Sequence, residues 1–244
     1  MPRCCASDRG VKPLLPAIPR HQMPGVVSSV TFRYPPSAIR SSMILDFAGL
    51  DVRNAYQWMI STILPRPIAW VSTISADGKT NLAPFSFFQG ITANPPTLMF
   101  VPVNNREGVK KDTVRNIEAV PEFVVNLVSH DLAVQMNNSA ALLPYGESEF
   151  EKFGIAAAPS TTIRPPRVAA APVAFECTLD RIINIGEGPL AANVVFGRIR
   201  TAHLRDDILG ADGKPDPAKL DLIARMGGDN YATTREVFSL TRPK

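Results

Sequence analysis

Few residues of this chain could carry acid–base or metal chemistry. Of its three histidines, His21 lies in a basic arm, and His130 and His203 fall at strand positions where a structural role is usual. The sequence has no Gly-x-Ser-x-Gly motif, no phosphate-binding P-loop and no cysteine–histidine cluster with metal-ligand spacing. We therefore expect no catalytic side chain and no metal site. A bound cofactor would have to supply the chemistry, because flavin or nicotinamide reactions need a protein mainly to position the reacting groups.

A basic segment near a predicted helix start has the composition of a phosphate site. Arg106, Lys110 and Lys111 precede a short helix predicted over 112–118, and Thr113 lies in its first turn. Cations and the unpaired N–H groups of a helix N-terminus both attract phosphate. A basic cluster of this kind is also typical of a solvated surface, and the spacing alone leaves both interpretations open.

Small and polar residues interrupt the apolar pattern of the segment 80–89. On an extended strand, Asn81 and Ala83 lie on one face, while Leu82 and Ser86 lie on the other. Core packing accounts for this pattern when it is taken alone.

These segments must be positioned by a fold rich in β-strands. Asp77-Gly78 is a hairpin signal, and 186–189 has the composition of a turn between two long antiparallel strands. Pro84 predicts a kink or an edge position in its strand. Six strands are predicted, over 67–74, 80–89, 97–103, 123–128, 173–185 and 193–204. So many strands with few crossover helices favour an antiparallel barrel over a doubly wound parallel sheet.

The predicted helices are few and short. Four are expected, within 46–63 and over 112–118, 131–141 and 217–225. The first begins near Val52, and the second is capped by Asp112 or Thr113. The last has a proline at an early position and two glycines after its end.

Length and composition restrict the class of protein. The 244 residues are 45% hydrophobic and 20% charged, which suits one globular domain or two small ones. No apolar run reaches the roughly 20 residues of a membrane-spanning helix, so no membrane association is expected.

The net charge is unevenly distributed along the chain. Residues 1–42 have six Lys or Arg against one Asp, a net charge of +5, which leaves a net charge of −1 for residues 43–244 out of the total of +4. A domain without a basic surface is a poor binder of nucleic acid, and we exclude that partner.

We expect residues 1–42 to be a disordered N-terminal extension and residues 43–244 to form the domain. The extension is basic, holds seven of the 23 prolines and lacks a periodic apolar pattern. Its composition fits an inert tail, or an organelle-targeting segment as the alternative. Three cysteines cannot form a disulfide framework, so an intracellular, cytoplasmic location is predicted.

An ordered set of motifs resembles one known family. The motifs are RPIAWVST at 66–73, NLAPFSFF at 81–88, NPPTLMF at 94–100, KDTVRNI at 111–117, FVVNL at 123–127, RMGG at 225–228 and Tyr231. Together they resemble the flavin reductase-like, FMN-binding split-barrel family over essentially all of 43–244. One motif would be a weak signal, but the ordered set is specific. Asn193 departs from the pattern, because family members often have a histidine there, and no proton-related role is carried over to it.

The resemblance implies a fold, a cofactor and a set of binding residues. The fold would be an antiparallel split β-barrel of Greek-key type with a few helices, and the protein would be a homodimer with FMN near the subunit interface. The family's phosphate-binding segment matches the basic cluster, and two of its strands run beside the flavin. The cofactor-binding residues implied are Arg66, Trp70, Ser72, Thr73, Asn81, Leu82, Ala83, Ser86, Arg106, Lys110, Lys111 and Thr113.

The resemblance also implies an activity. The expected function is that of an NAD(P)H-dependent flavin reductase, in which reduced nicotinamide passes a hydride to FMN. Reduced FMN could then leave to supply a monooxygenase, or stay bound and pass its electrons on. A flavoredoxin-like electron-transfer protein with a protein donor, and a non-enzymatic flavin-binding module, are the alternatives.

Overall fold

Antiparallel strands make up most of the regular structure. The structure is a computed structural model in which residues 43–243 are described. The strands are β1 Arg66–Pro67, β2 Ala69–Ile74, β3 Thr80–Phe85, β4 Phe88–Ala93, β5 Pro96–Phe100, β6 Glu122–Asn126, β7 Ala157–Ala158, β8 Arg167–Val168, β9 Val173–Ile185, β10 Ala192–Leu204, β11 Ile223–Arg225 and β12 Tyr231–Thr233. The α-helices are α1 Val52–Thr62, α2 Asp112–Ala119, α3 Ala133–Asn138, α4 Glu149–Lys152 and α5 Pro217–Leu220. These elements lie in one compact unit that begins at Phe47. The expectation for residues 1–42 lies outside the described residues.

A seven-stranded sheet curls into a barrel that is open along one seam. Its strand order is β3-β2-β6-β9-β10-β5-β4, and every pair in it is antiparallel. β3 and β4 stand at opposite ends of this order, yet only Ser86 and Phe87 separate them in sequence. Three peptide units span at most about 11 Å, so the two edges must come together. The predicted mainly β split barrel is therefore confirmed.

The barrel encloses an apolar core in which aromatic rings meet. The ring centroids of Phe85 and Phe100 are 5.3 Å apart, and those of Phe100 and Phe123 are 5.4 Å apart. Gly197 on β10 makes room for this cluster, because a Cβ at that position would lie 2.2 Å from Cζ of Phe123. The inner faces of the strands are therefore fixed by close packing.

A second apolar cluster covers the outer face of β2 and β3. Trp70 and Leu82 point outward into it and pack with Met136 of α3 and Phe150 of α4. Alternation along the strands separates the two clusters, since Val71 faces the inner core beside Trp70. The two helices thus sit on the strands that the sequence predicts to run beside the flavin.

The start of α1 agrees with the prediction, whereas the capping residue of α2 does not. α1 begins at Val52 as predicted, and its cap Asp51 accepts a hydrogen bond from Asn54 N at 3.0 Å. The cap of α2 is Lys111, so the prediction of Asp112 or Thr113 was wrong. The carboxylate of Asp112 instead pairs with Arg115 at 3.3 Å.

Other boundaries also differ from the prediction. The strand predicted over 97–103 ends at Phe100, and the one predicted over 67–74 is divided into β1 and β2. The segment 80–89 is two strands, because the chain turns at Ser86 and Phe87 to cross the seam. The helix predicted over 131–141 is shorter and follows a 3₁₀ turn at His130–Leu132. The helix predicted over 217–225 ends at Leu220, where Asp221 takes a left-handed conformation with φ of 42°. The residues after it form β11, which pairs with β1 and β12.

Candidate functional site

A cavity of about 300 Å³ lies beside β3 at the start of α2. Five segments line it: β3, the loop before α2, the first turn of α2, the loop after α3 and the start of α4. Its lining residues are Asn81, Ala83, Pro84, Phe85, Asn105, Val109, Lys110, Lys111, Asp112, Thr113, Arg115, Ser139, Ala140, Ala141, Leu142, Leu143 and Glu149. Five of the predicted cofactor-binding residues, Asn81, Ala83, Lys110, Lys111 and Thr113, are therefore brought together.

The floor of the cavity is a network of buried amides and hydroxyls. Nδ2 of Asn81 donates to Oγ1 of Thr113 at 3.1 Å and to Oγ1 of Thr73 at 3.3 Å. Nδ2 of Asn116 donates to the same Thr73 oxygen at 3.1 Å. These bonds tie β2 and β3 to α2 and fix the helix start against the sheet. Thr73 lies beneath the cavity, where it holds the two amides.

The helix end of the cavity is basic. Lys110, Lys111 and Arg115 line it, and the first N–H groups of α2 have no partner within the helix. Lys110 Nζ lies 2.5 Å from a carboxylate oxygen of Glu118, whereas Lys111 forms no ion pair within the described part of the chain. This end combines a helix N-terminus with positively charged side chains, and both attract an anionic group.

The loop before α2 is held in place by asparagines. Nδ2 of Asn193 donates to Oδ1 of Asn104 at 2.9 Å, and Nδ2 of Asn184 donates to Oδ1 of Asn193 at 2.7 Å. Oδ1 of Asn105 accepts the N–H of Val109 at 2.8 Å. Asn193, at which the sequence departs from the resemblance, is thus a buried support of the loop that carries the basic residues.

Arg66 and Arg106 lie away from this cavity. Arg66 is 4% exposed, and its Nη1 donates to the carbonyls of Ile60 and Ile63 at 2.6 and 2.9 Å. Its Nη2 donates to the carbonyl of Met226 at 3.2 Å. The guanidinium is therefore satisfied by protein groups. Arg106 is exposed in the loop before α2 and does not line the cavity.

Trp70, Ser72 and Leu82 support the site from behind. Nε1 of Trp70 donates to Oγ of Ser139 at 2.8 Å, which holds the start of the loop that covers the cavity. The hydroxyl of Ser72 donates to the carbonyl of Pro166 at 2.5 Å. Leu82 packs in the outer cluster, and the structure does not bring these three side chains into the cavity.

A second cavity of about 310 Å³ continues from the first along β3. The two share Pro84, Phe85 and Ala140, so they are compartments of one cleft. The second is lined by Tyr56, Ile68, Pro84, Phe85, Ser86, Met136, Asn137, Ala140, Arg225 and Tyr231. The guanidinium of Arg225 lies over the ring of Tyr231 at 4.7 Å. Ser86, the remaining predicted residue, belongs to this compartment.

Comparison with known proteins identifies the chain. The profile of the flavin reductase like domain matches residues 60–218, a stretch that contains every residue lining the first cavity. The chain belongs to the flavin reductase-like family. An uncharacterized protein of Deinococcus radiodurans is 40% identical over 205 residues, which cover 81% of this chain and 88% of the relative. A protein of Halalkalibacterium halodurans is 36% identical over 203 residues, which cover 82% and 97%.

Solved structures of the same fold include members with named functions. Nitrilotriacetate monooxygenase component B from Bacillus cereus is 32% identical, with a TM-score of 0.77 over 82% of this chain and 99% of that chain. Pseudomonas fluorescens 2-nitrobenzoate 2-nitroreductase is 31% identical, with a TM-score of 0.73 over 82% and 96%. The flavoredoxin of Desulfovibrio vulgaris is 20% identical and similar in fold, with a TM-score of 0.62 over 72% and 90%.

The residues of this flavin reductase-like domain fit a flavin. The cleft runs along β3 for two compartments, and its basic end offers cations and helix N–H groups to a phosphate.

Among residues 43–243, no group of three His, Cys, Asp or Glu side chains could hold a metal ion. Within the same residues, no helix is long and apolar enough to cross a membrane.

Sequence reasoning missed an acid in the flavin reductase-like cleft. Glu149 is 6% exposed, and its Oε2 accepts the N–H of Leu82 at 2.7 Å. Burial raises the pKa of Glu149, and the nearby charge of Asp112 raises it further. Burial also raises the pKa of Asp112. Glu149 belongs to none of the family motifs and lies 64 or more residues from β3 in sequence, so no local signal could have found it.

Proposed function

We propose that this protein is an FMN-binding oxidoreductase that reduces its flavin with NAD(P)H. The observation that carries the proposal is the two-compartment cleft along β3, basic at the start of α2 and aromatic at the other end. Among the described residues, no histidine or cysteine lines this cleft. Bound FMN would supply the chemistry, by accepting a hydride from reduced nicotinamide.

The phosphate of FMN would bind at the basic end of the cleft. Lys111 and the first N–H groups of α2 would hold it, with Lys110 and Thr113 beside them. Charge-assisted hydrogen bonds of this type are stronger than neutral ones. Asn81 fixes the helix start, so the donors are already in position before the ligand arrives.

The flavin ring would lie along β3. Ala83 has a small side chain, which allows a planar ring to approach the strand, and Pro84 has no backbone N–H that would be left unpaired. The loop 139–143 covers this stretch and would exclude water from the ring.

The second compartment would accept the nicotinamide. Tyr56 and Tyr231 offer aromatic surfaces to a planar ring, and Arg225 offers a charge to its phosphates. The chain residues would then orient donor and flavin, which accounts for much of the rate of such a transfer.

The visible spectrum of the full-length protein with FMN tests this proposal. NADH and NADPH are added separately under anaerobic conditions. Bleaching of a bound flavin spectrum by either nucleotide is expected, and multiple turnovers with added FMN would support a reductase. Bound flavin that neither nucleotide reduces would contradict the reductase and leave a passive flavin-binding module. Absence of bound flavin would contradict the cofactor assignment.

A second candidate function is the supply of electrons to another protein. The similarity to a monooxygenase component B supports a partner enzyme that consumes reduced flavin. A flavoredoxin-like carrier would instead keep FMN bound and take electrons from a protein donor. Rapid release of reduced FMN supports the first arrangement, and very slow release without reaction with NAD(P)H supports the second.

We also infer a homodimer formed through the surface of α1. This helix has no buried residue, and beside it lies an apolar groove of about 460 Å³ that includes Tyr56 and Met59. Tyr56 lines both the groove and the second compartment, so a partner copy on this face would border the cleft. Sedimentation analysis should find a dimer that Met59→Glu dissociates. Gln57→Glu, on the same helix but outside the groove, is the control and should leave the dimer intact.

A further inference from the structure

Glu149 is a buried acid on the wall of the flavin cavity. It is the first residue of α4 and is 6% exposed, yet it lines the cavity with Asn81 and Ala83. Its carboxylate accepts two backbone N–H groups, that of Leu82, 2.7 Å from Oε2, and its own. A buried carboxylate needs a cation or several donors to remain ionised. These two backbone donors favour the ionised form of Glu149, but burial outweighs them and the pKa is raised.

The cations of the cavity do not neutralise Glu149. Lys110 and Arg115 are paired with other carboxylates, and Lys111 forms no ion pair within residues 43–243. The side chain therefore lies in a basic cavity without a cation of its own. This arrangement differs from that of Asp112, which has Arg115 at 3.3 Å.

The neighbouring acid Asp112 acts against the ionised form of Glu149. Asp112 lines the same cavity, and its negative charge acts against ionisation of Glu149, in addition to burial, which raises the pKa of Glu149. On α4 itself, Glu151 and Lys152 line a separate depression beside Gly78. Two acids that share one cavity hold a proton more readily than either would alone. Of the two acids, Glu149 holds the proton more readily, because Arg115 stabilises the ionised form of Asp112.

We propose, on the basis of the FMN site described above, that Glu149 binds FMN in its protonated form as a hydrogen-bond donor, so that flavin binding takes up a proton at this residue. The phosphate brings negative charge into a cavity that already contains Asp112, and an ionised Glu149 would oppose it. A protonated carboxyl removes that charge and offers an O–H to the oxygen and nitrogen acceptors of the flavin.

The substitution Glu149→Gln tests this coupling, because the amide is a donor of similar shape that cannot ionise. The dissociation constants of FMN and of riboflavin are measured by fluorescence from pH 5 to pH 8 for both proteins. At low pH the two proteins should bind with similar affinity. As pH rises, the wild type should weaken relative to E149Q, by at most about tenfold per pH unit, as one linked proton requires.

Riboflavin and a neighbouring acid serve as controls. Riboflavin has no phosphate to titrate, so its pH dependence reports the protein alone. Glu151→Gln removes a carboxylate from the same helix but outside the cavity and should follow the wild type at every pH. A constant affinity ratio between wild type and E149Q across the range would overturn the inference. Failure of the wild type to bind FMN at any pH would instead overturn the proposed function beneath it.

Calorimetry on the unmodified protein keeps the test decisive if E149Q does not fold. The heat of riboflavin binding at pH 8 is measured in two buffers that differ in their heat of ionisation. Uptake of about one proton per flavin is expected, and it should persist in Asp112→Asn. Zero uptake, or uptake that vanishes in that variant, would contradict the assignment to Glu149.

Discussion

Nε of Arg66 on β1 donates at 3.3 Å to Oγ of Ser86, which lies where the chain passes from β3 to β4 at the seam. The same guanidinium donates to the last carbonyls of α1 and to the turn after β11. One buried side chain thus joins the seam, a helix end and the small sheet of β1, β11 and β12. Arg66, which the family resemblance suggests for cofactor binding, is thus satisfied by protein groups, and Ser86 is hydrogen-bonded to it.

Arg66→Ala should destabilise the protein without a specific effect on the flavin phosphate. Loss of a buried guanidinium leaves carbonyl oxygens unpaired, which is expected to cost about 2–4 kcal/mol in the free energy of unfolding. Chemical denaturation measures this cost. Arg106→Ala is the matched control, because that side chain is exposed, and it should change stability by less than about 0.5 kcal/mol. Unchanged stability with a selective loss of FMN over riboflavin would instead make Arg66 a phosphate ligand.

Lys111→Ala should weaken FMN binding at the basic end of the cleft. Removal of one charge-assisted contact is expected to cost about 1.5–3 kcal/mol of binding free energy. Fluorescence titration measures it, and riboflavin, which has no phosphate, should bind the variant as it binds the wild type. Arg106→Ala should leave FMN affinity unchanged, because Arg106 does not line the cavity. An equal loss for FMN and riboflavin would move the phosphate elsewhere.

Gly197→Ala should disrupt the barrel core. The added Cβ would meet Cζ of Phe123 at 2.2 Å, and neither β10 nor the aromatic cluster can move freely. Overpacking of this kind is expected to cost about 1–3 kcal/mol of stability. Gly90→Ala on β4 is the control, since nothing lies within 4 Å of the new methyl group. Adding Phe123→Leu to Gly197→Ala should restore part of the loss, and the absence of any rescue would show that the clash is not the cause.

The long elements of the fold could be predicted from the sequence because local pattern determines them. The hairpin of β9 and β10 matches the predicted strands 173–185 and 193–204 to within one residue, since alternation and a glycine turn fix both. β11 could not be predicted in this way. A segment of only three residues has little strand preference of its own. Ile223–Arg225 becomes a strand because β1 and β12 pair with it.

The same distinction between local pattern and tertiary packing applies to the residues of the candidate site. The motifs and a predicted helix start selected Lys111 and Asn81, which line the cavity, whereas Trp70, also predicted to bind the cofactor, packs in the outer cluster. A motif identifies the strand but not the face on which each side chain lies. Glu149 reaches the cavity only through tertiary packing of α4 on β3, so no pattern in the sequence points to it.

The stability of the protein should fall in acid through one buried carboxylate. Glu176 on β9 is fully buried and accepts the N–H groups of Thr161 and Thr162 at 2.6 and 2.7 Å, while Nε2 of His203 lies 2.5 Å from Oε1. Burial alone would raise the pKa of Glu176, but the hydrogen bonds from Thr162, Thr161 and His203 outweigh it and lower the pKa to about 2. The ionised carboxylate thus anchors the loop before β8 to the outer face of the barrel.

A carboxyl whose pKa is lower in the folded protein stabilises it above the pKa of the unfolded chain, and this contribution disappears as the acid is protonated. For Glu176 the window runs from its ordinary pKa of 4.5 down to about 2. Glu176→Gln should therefore be less stable than the wild type at pH 7, and the difference in unfolding free energy should shrink as pH falls through this window. Urea denaturation at several pH values measures it, with Glu187→Gln in the exposed hairpin turn as the control. A difference that stays constant from pH 6 to pH 2.5 would mean that the variant loses packing and hydrogen bonds, and that ionisation of Glu176 contributes nothing to the fold.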